Sequence, residues 1–315
     1  MVDPTDPNAT VQQNGDGAPL VSQTNALATR GLARVAAAEA ALAALLAEPA
    51  EDGSDGGELI HDYRVALRRL RSVLRPLGFA FGKRKTKALA DQLREIANLT
   101  GELRDEEVLR ETLADLDLEA ATRAAVNDWM VGRTRREKGL RARVLRQMRG
   151  NTDAPKGIRE VLRRIVTLLT AQPKHMLADA SIADAATKET RHTIDKRTDA
   201  ASPSDVESMH RLRIAYKRMR YTLELVDGFV DFEAAPAEKL ATKLQKHLGK
   251  LHDLDEALLR MSRARGLPSA ARERVLHVLK KTRSKAERKA WEEAREARAT
   301  MAAFYERNVD DPPTK

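Results

Sequence analysis

The sequence predicts an all-α protein, and three observations carry that expectation. Aromatic residues make up only 3% of the 315 positions, the apolar content is mostly Ala and Leu, and a third of the chain is charged. Runs of Val, Ile and Thr are few. Ala, Leu, Glu, Lys and Arg lose little side-chain freedom in a helix, whereas sheets draw on β-branched and aromatic residues. Such a blend favours long amphipathic helices.

Taken in order, residues 1–19 are rich in Asp, Asn, Pro and Gly and are expected to form a disordered acidic tail. An Ala/Leu-rich pattern over about 20–46 predicts the first helix, and the Gly/Asp-rich stretch 51–57 ends it. A strongly patterned helix is expected over about 58–81, with Pro76 and Gly78 able to bend it or end it early. Further helices follow at about 86–98 and 104–116, separated by Gly101, and a long basic one at 119–149. Beyond the polar connector 150–155 come helices at about 156–171 and 183–200. Past Pro203 the sequence predicts helices to about 229, from 235 to 248, a break at Gly249, a short helix to 264, and a long basic helix over 269–307. Residues 308–315 form a C-terminal tail.

The formal net charge is +9, unevenly spread. Residues 1–57 hold eight acids against Arg30 and Arg34, a balance of −6, so the remainder carries +15. A basic body of this kind meets nucleic acid, anionic membrane or another polyanion. The absence of cysteine excludes disulfides and thiolate chemistry. The first 20 residues lack the basic start and apolar centre of a secretory signal, and no stretch approaches ~20 uncharged apolar residues. A soluble, cytoplasmic protein with no membrane partner is expected.

The chain contains an internal repeat. The segment 61–71, His-Asp-Tyr-Arg-Val-Ala-Leu-Arg-Arg-Leu-Arg, aligns without a gap on 210–220, His-Arg-Leu-Arg-Ile-Ala-Tyr-Lys-Arg-Met-Arg, at an offset of 149. Downstream, Gly101-Glu-Leu-Arg-Asp105 matches Gly249-Lys-Leu-His-Asp253 at an offset of 148. The two halves, about 20–150 and 156–307, read as copies of one helical unit.

On a helix turning about 100° per residue, His61, Arg64, Arg68, Arg71 and Arg75 share one stripe about 80° wide. Tyr63, Leu67, Leu70, Leu74 and Leu77 occupy the opposite face. The second copy repeats this with His210, Arg213, Lys217 and Arg220 against Leu212, Tyr216, Met219, Leu223 and Val226; Glu224 stands where the first copy has Arg75. A solvated helix face normally mixes signs and gains from acid–base pairs four residues apart. Here like charges stack at those positions, at a cost of ~0.2–0.5 kcal/mol per pair. Keeping that arrangement twice points to an anionic ligand. Arginine can grip phosphate oxygens bidentately, lysine adds a hydrated point charge, and histidine a donor whose charge is tunable near neutrality.

The His61-Asp62 pair resembles a metal-binding dyad, but Arg211 replaces the acid in the second copy, so no metal site or cofactor is expected. No phosphate loop, nucleophile elbow or zinc-helix motif occurs, and no catalytic residues are assigned. Asp105 and Asp253 read as structural, either capping a short helix or anchoring a stripe arginine.

These motifs resemble those of the conserved histidine α-helical domain, the CHAD family. The likeness rests on His-x-x-Arg-[Val/Ile]-Ala-x-[Arg/Lys]-Arg-x-Arg at 61–71 and 210–220 and on Gly-x-Leu-x-Asp ending at Asp105 and Asp253, and it spans about 20–307. The resemblance implies two four-helix bundles related by a pseudo-two-fold, with their basic helices facing a central groove or pore. It also implies binding of inorganic polyphosphate and association with polyphosphate granules, without enzymatic activity. The ligand-facing set it implies is His61, Arg64, Arg68, Arg71, His210, Arg213, Lys217 and Arg220. Arg69 and Arg218 match the motif but lie off the stripe, and Arg75 lies on the stripe without a basic counterpart. The Glu-x-Glu-x-Lys signature of the triphosphate-processing domain found in many relatives is absent. The alternative partner is RNA or DNA, which a basic groove would also attract; single-strand binders, however, supply aromatic stacking platforms that this sequence lacks.

Overall fold

The structure, a computed structural model, describes residues 12–13, 19–20, 26–47, 56–175, 177–230 and 235–305. Ten helices build it: α1 (Ala26–Ala47), α2 (Gly56–Phe81), α3 (Lys83–Asn98), α4 (Gly101–Ala114), α5 (Ala120–Asn151), α6 (Ile158–Thr170), α7 (Asp179–Asp199), α8 (Val206–Val226), α9 (Ala235–Ser262) and α10 (Ser269–Tyr305). Within the acidic N-terminal segment, Gln12–Gln13 pairs antiparallel with Pro19–Leu20; the rest of that segment and the C-terminal tail lie outside the described residues. No helix among the described residues is long and apolar enough to cross a membrane.

The apolar faces sort the helices into packed groups. α1, α2, α3 and α6 close around Leu42, Leu67, Leu70, Leu74, Leu93 and Ile165. α7, α8, α9 and α10 close around Leu212, Tyr216, Met219, Leu244 and Ala294. A third cluster joins α4 and the start of α5 to the far ends of α9 and α10 through Leu113, Val126, Leu254 and Val275. α6 follows the polar connector at 150–155, yet it packs on α1 and α3 and supplies the fourth helix of the first bundle. α2 packs directly on α7 and α8, so the two motif helices meet where the bundles join.

α2 runs to Phe81, where the pattern places its end, and Pro76 does not stop it early, because Leu74, Leu77, Ala80 and Phe81 are all buried in the core and hold the last turns in place. Gly78 lets the next helix come close, since a Cβ there would stand 2.8 Å from Thr86 Oγ1. The reversal itself falls at Gly82, whose φ of 98° is a left-handed value that favours glycine.

One expectation changes at Gly249, which does not break its helix. The first copy pinches at Leu99–Thr100, where backbone N–H groups reach back three residues to Ile96 and Ala97. The Ala97 carbonyl also accepts from Arg64 Nη1 at 2.8 Å, and Thr100 Oγ1 accepts from the same nitrogen at 2.8 Å. In the second copy Leu248 takes the place of Thr100 and is buried in the apolar core, so α9 continues through the glycine.

The division of each motif helix into apolar and basic faces has a measurable consequence. Leu70→Ala, at a fully buried position, should lower unfolding stability by ~2–5 kcal/mol through the cavity it leaves. Arg71→Ala, one residue on, should leave the urea midpoint unchanged or higher. Equal losses in both variants would mean that the basic face is itself structural.

Candidate functional site

Both motif helices turn their apolar faces into their own bundles. Tyr63, Leu67, Leu70, Leu74 and Leu77 are buried on α2, and Leu212, Tyr216, Met219, Leu223 and Val226 on α8. The opposite faces are thereby directed to the junction where α2 meets α8. Asp205 caps α8 by accepting from Glu207 N at 3.0 Å.

The two stripes converge at Arg68. Its Nε donates to Tyr221 Oη on α8 at 2.7 Å, and its charge reaches both Arg213 and Lys217. Arg220 lies over the Tyr221 ring, its guanidinium carbon 4.4 Å from the centroid, with that of Arg68 at 5.9 Å. Arg71 feels Arg94 of α3 and Arg218 of α8. The contacts are reciprocal between the copies. Arg68 and Lys217 are counterparts; Arg69 approaches Glu224, the counterpart of Arg75, at 3.9 Å, while Arg75 lies near Arg218, the counterpart of Arg69.

Charge satisfaction differs sharply across this surface. Arg75 and Lys83 pair with Glu189 of α7, and Arg34 and Arg69 with Glu224. Among the described residues, by contrast, no carboxylate forms an ion pair with Arg64, Arg68, Arg71, Arg213, Lys217 or Arg220, and the Nε atoms of Arg71, Arg213 and Arg220 are buried without any acceptor. Buried donors are rarely left so. Arg64 is the best satisfied of the six, through its bonds to Ala97 and Thr100.

The electrostatic effect is largest at Lys217. Burial, followed by Arg68, Arg213, Arg71 and Arg220, lowers its pKa from the usual 10.5 to about 7. Burial likewise lowers Arg64, Arg71, Arg213 and Arg218. Desolvation also pulls His210 down, with Arg213 next in effect, and brings His252 to about 4. These two rings touch, Nδ1 to Nδ1, at 3.3 Å.

Every motif residue thus has a place. Arg68, Arg71, Arg213, Lys217 and Arg220 form the shared cluster; His210 joins it through Arg213 and His252. His61 is exposed near the start of α2. Of the off-pattern arginines, Arg75 is paired with Glu189, Arg69 lies 3.9 Å from Glu224 with its Nε buried and unbonded, and Arg218 lies near Arg75. Asp105 and Asp253 do not cap helices. Asp105 pairs with Arg260 at 2.8 Å, and Asp253 sits beside Arg213 with its own pKa raised by burial. Arg213 also borders a cleft of about 380 Å³ between α4 and α9, whose walls carry Glu111, Asp115 and Asp253 and are therefore far less basic.

Two participants escaped the sequence pattern. Tyr221 lies about 20° from His210 on a helical wheel, within reach of the stripe, but its counterpart is Ser72 and the repeat does not mark it. His252 is the counterpart of Arg104, and only tertiary contact brings it to His210. Among the described residues no group of three or more His, Cys, Asp or Glu could hold a metal ion.

Lys217 makes the protonation state of this cluster testable. The unfolded amine keeps its proton up to its usual 10.5, while the folded one loses it near 7. Between those values the unfolded state binds more protons, so stability rises with pH. Urea unfolding at pH 7 and pH 9 should show that rise in the wild type and a much smaller one in Lys217→Met. A wild-type curve that stays flat across the window would show that the amine remains charged.

The CHAD domain family matches residues 36–262, well over half of the chain. The crystal structure of the CHAD domain from the plant Ricinus communis is similar in fold, with a TM-score of 0.54 and 21% identity, covering 91% of this chain and 87% of that one. PptA from Streptomyces chartreusis is similar too, with a TM-score of 0.61 and 17% identity over 87% of this chain and 99% of that one. At these identities the likeness speaks for the fold alone. No curated protein matches the chain in sequence.

Proposed function

The chain belongs to the CHAD family, and from that premise we propose that it binds inorganic polyphosphate, without altering it chemically, along the cluster shared by α2 and α8. The observation that carries this reading is the set of clustered cations that form no ion pair with an acid among the described residues, three of them with buried Nε donors lacking acceptors. A linear chain of phosphates supplies what is missing: closely spaced negative charge and acceptor oxygens in every direction. The reciprocal contacts around Arg68 and Lys217 support a pseudo-two-fold relation between the two motif helices, with one groove rather than two separate sites; α6, which falls in the second sequence half 156–307, completes the first bundle, so the bundles do not divide at 150–156 as the repeat suggested. His61, Arg64 and His210 extend the groove, and Arg69, Arg75 and Arg218 border it. In the cell such a protein would act in the cytoplasm at polyphosphate granules.

Tyr221 bears on the choice between polyphosphate and nucleic acid. It is the aromatic residue at the centre of the cluster, but it is buried, and Arg220 lies over its ring. A base could not stack there, whereas a chain without bases needs no platform.

The deciding experiment is competition between labelled long-chain polyphosphate, RNA and duplex DNA at physiological salt. Polyphosphate should displace RNA at comparable phosphate concentration; equal or tighter RNA binding would favour the nucleic-acid reading. Because a ligand touching both stripes gains from their linkage, Arg68→Ala/Arg71→Ala and Lys217→Ala/Arg220→Ala should each abolish tight binding of long chains. Arg64 is left intact in these variants because it supports the α3–α4 pinch. Two sites lost independently would refute a shared groove.

Binding should also take up a proton. Nearby phosphate restores the charged form of Lys217 and raises its pKa above the free value of about 7. Affinity should therefore fall as pH rises above 7, and Lys217→Arg should flatten that dependence. Titration calorimetry in buffers of different ionisation enthalpy measures the proton uptake directly.

A further inference from the structure

A second basic cleft, of about 440 Å³, lies between the first half of α5 and the C-terminal end of α9. Its lining combines Leu109, Leu259, Ala264 and Trp129 with several arginines and one acid, Glu256. The cleft is fixed rather than loose. Trp129 Nε1 donates to the carbonyl of Arg265 at 2.9 Å, which ties the α9–α10 connection to α5. Arg133 lies over the indole, 4.7 Å from its centroid, and is gripped by Glu106. Leu259 stands 46% exposed at the rim, one of few large apolar side chains so placed among the described residues.

The arginines divide into two groups. Arg133 and Arg260 are neutralised, the first by Glu106 and the second by Asp105 and Glu106 at 2.8 and 3.2 Å. Arg136, Arg263 and Arg265 form no side-chain ion pair among the described residues, and all three are exposed at the cleft. Asp105 also acts on Arg64 of the stripe. Asp105 therefore lies within electrostatic reach of both the stripe and this cleft.

We infer that this cleft is a separate site for a nucleoside polyphosphate, with its ring against Leu259 and the edge of Trp129, whose face Arg133 covers, and its phosphates on Arg136, Arg263 and Arg265. The volume falls in the range of small-molecule pockets, ~300–1,000 Å³, which pair apolar walls with a few placed polar groups. Three uncompensated guanidinium groups match a short run of phosphates. Glu256 offers an acceptor for a ring amino group or a ribose hydroxyl. Inorganic phosphate chains have neither a ring for Leu259 and Trp129 nor a donor for Glu256, so the ligand differs in class from that of the stripe.

The test uses ATP, adenosine and inorganic tripolyphosphate, titrated into the full chain carrying Arg68→Ala/Arg71→Ala so that the stripe does not compete. ATP should bind with one-to-one stoichiometry, and tripolyphosphate and adenosine each at least tenfold more weakly. Adding Arg263→Ala/Arg265→Ala should reduce ATP affinity at least tenfold, with the melting temperature unchanged because both side chains are exposed. ATP should also perturb the indole resonance of Trp129, assigned by its loss in Trp129→Phe, and leave that of Trp291 unmoved. The inference fails if tripolyphosphate binds as tightly as ATP, if ATP binding disappears with the stripe substitutions alone, or if the Arg263/Arg265 substitutions have no effect. None of these outcomes depends on whether the stripe binds polyphosphate.

Discussion

Like charges held together in a half-buried space are the constraint around which this fold is arranged. Moving a cation out of water costs several kcal/mol unless an opposite charge or hydrogen bonds compensate. Here Arg68, Arg71, Arg213, Lys217 and Arg220 are gathered between two helices, and among the described residues no carboxylate forms an ion pair with them. Two apolar cores hold them there. Each motif helix has a row of fully buried leucines, tyrosines or methionines on its other side, and this row fixes where the basic row must point. The fold can sustain the repulsion because the helices cannot rotate away from it without exposing their cores.

The response of individual groups follows from their position in that field. Lys217 can relieve its surroundings by losing a proton, and it is driven to do so. Burial shifts Arg71 and Arg213 in the same direction, yet they remain charged, owing to their much higher starting point. One flexible charge among fixed ones gives the cluster a graded response to pH. The histidines at its end add another at lower pH, where burial more than any single neighbour sets their behaviour.

Much of this was legible from periodicity. The gapless repeat at 61–71 and 210–220 located both helices and the row of bases on each, since helical spacing alone determines which residues share a face. What the sequence could not convey came from contacts between distant segments. Gly249 reads as a break because Gly101 is next to one, yet the deciding residue is the neighbour, Thr100 in one copy and Leu248 in the other. Pro76 is a position where α2 can bend or stop, but burial of the following turns outweighs the lost hydrogen bond and the helix keeps its expected end at Phe81. The attachment of α6 to the first bundle leaves no periodic trace, and neither does the meeting of His252 with His210. Tyr221 was within reach of wheel geometry but masked by the small Ser72 at the matching position.

The exchange of Arg75 for Glu224 between the copies has a meaning beyond the loss of one base. Arg75 on α2 faces an acid on α7, while Glu224 on α8 faces a base, Arg34, on α1. The same kind of cross-bundle link is made twice, with the signs reversed. Both pairs are partly exposed, so each adds little to stability but fixes how one bundle is set against the other, α2 against α7 and α8 against α1.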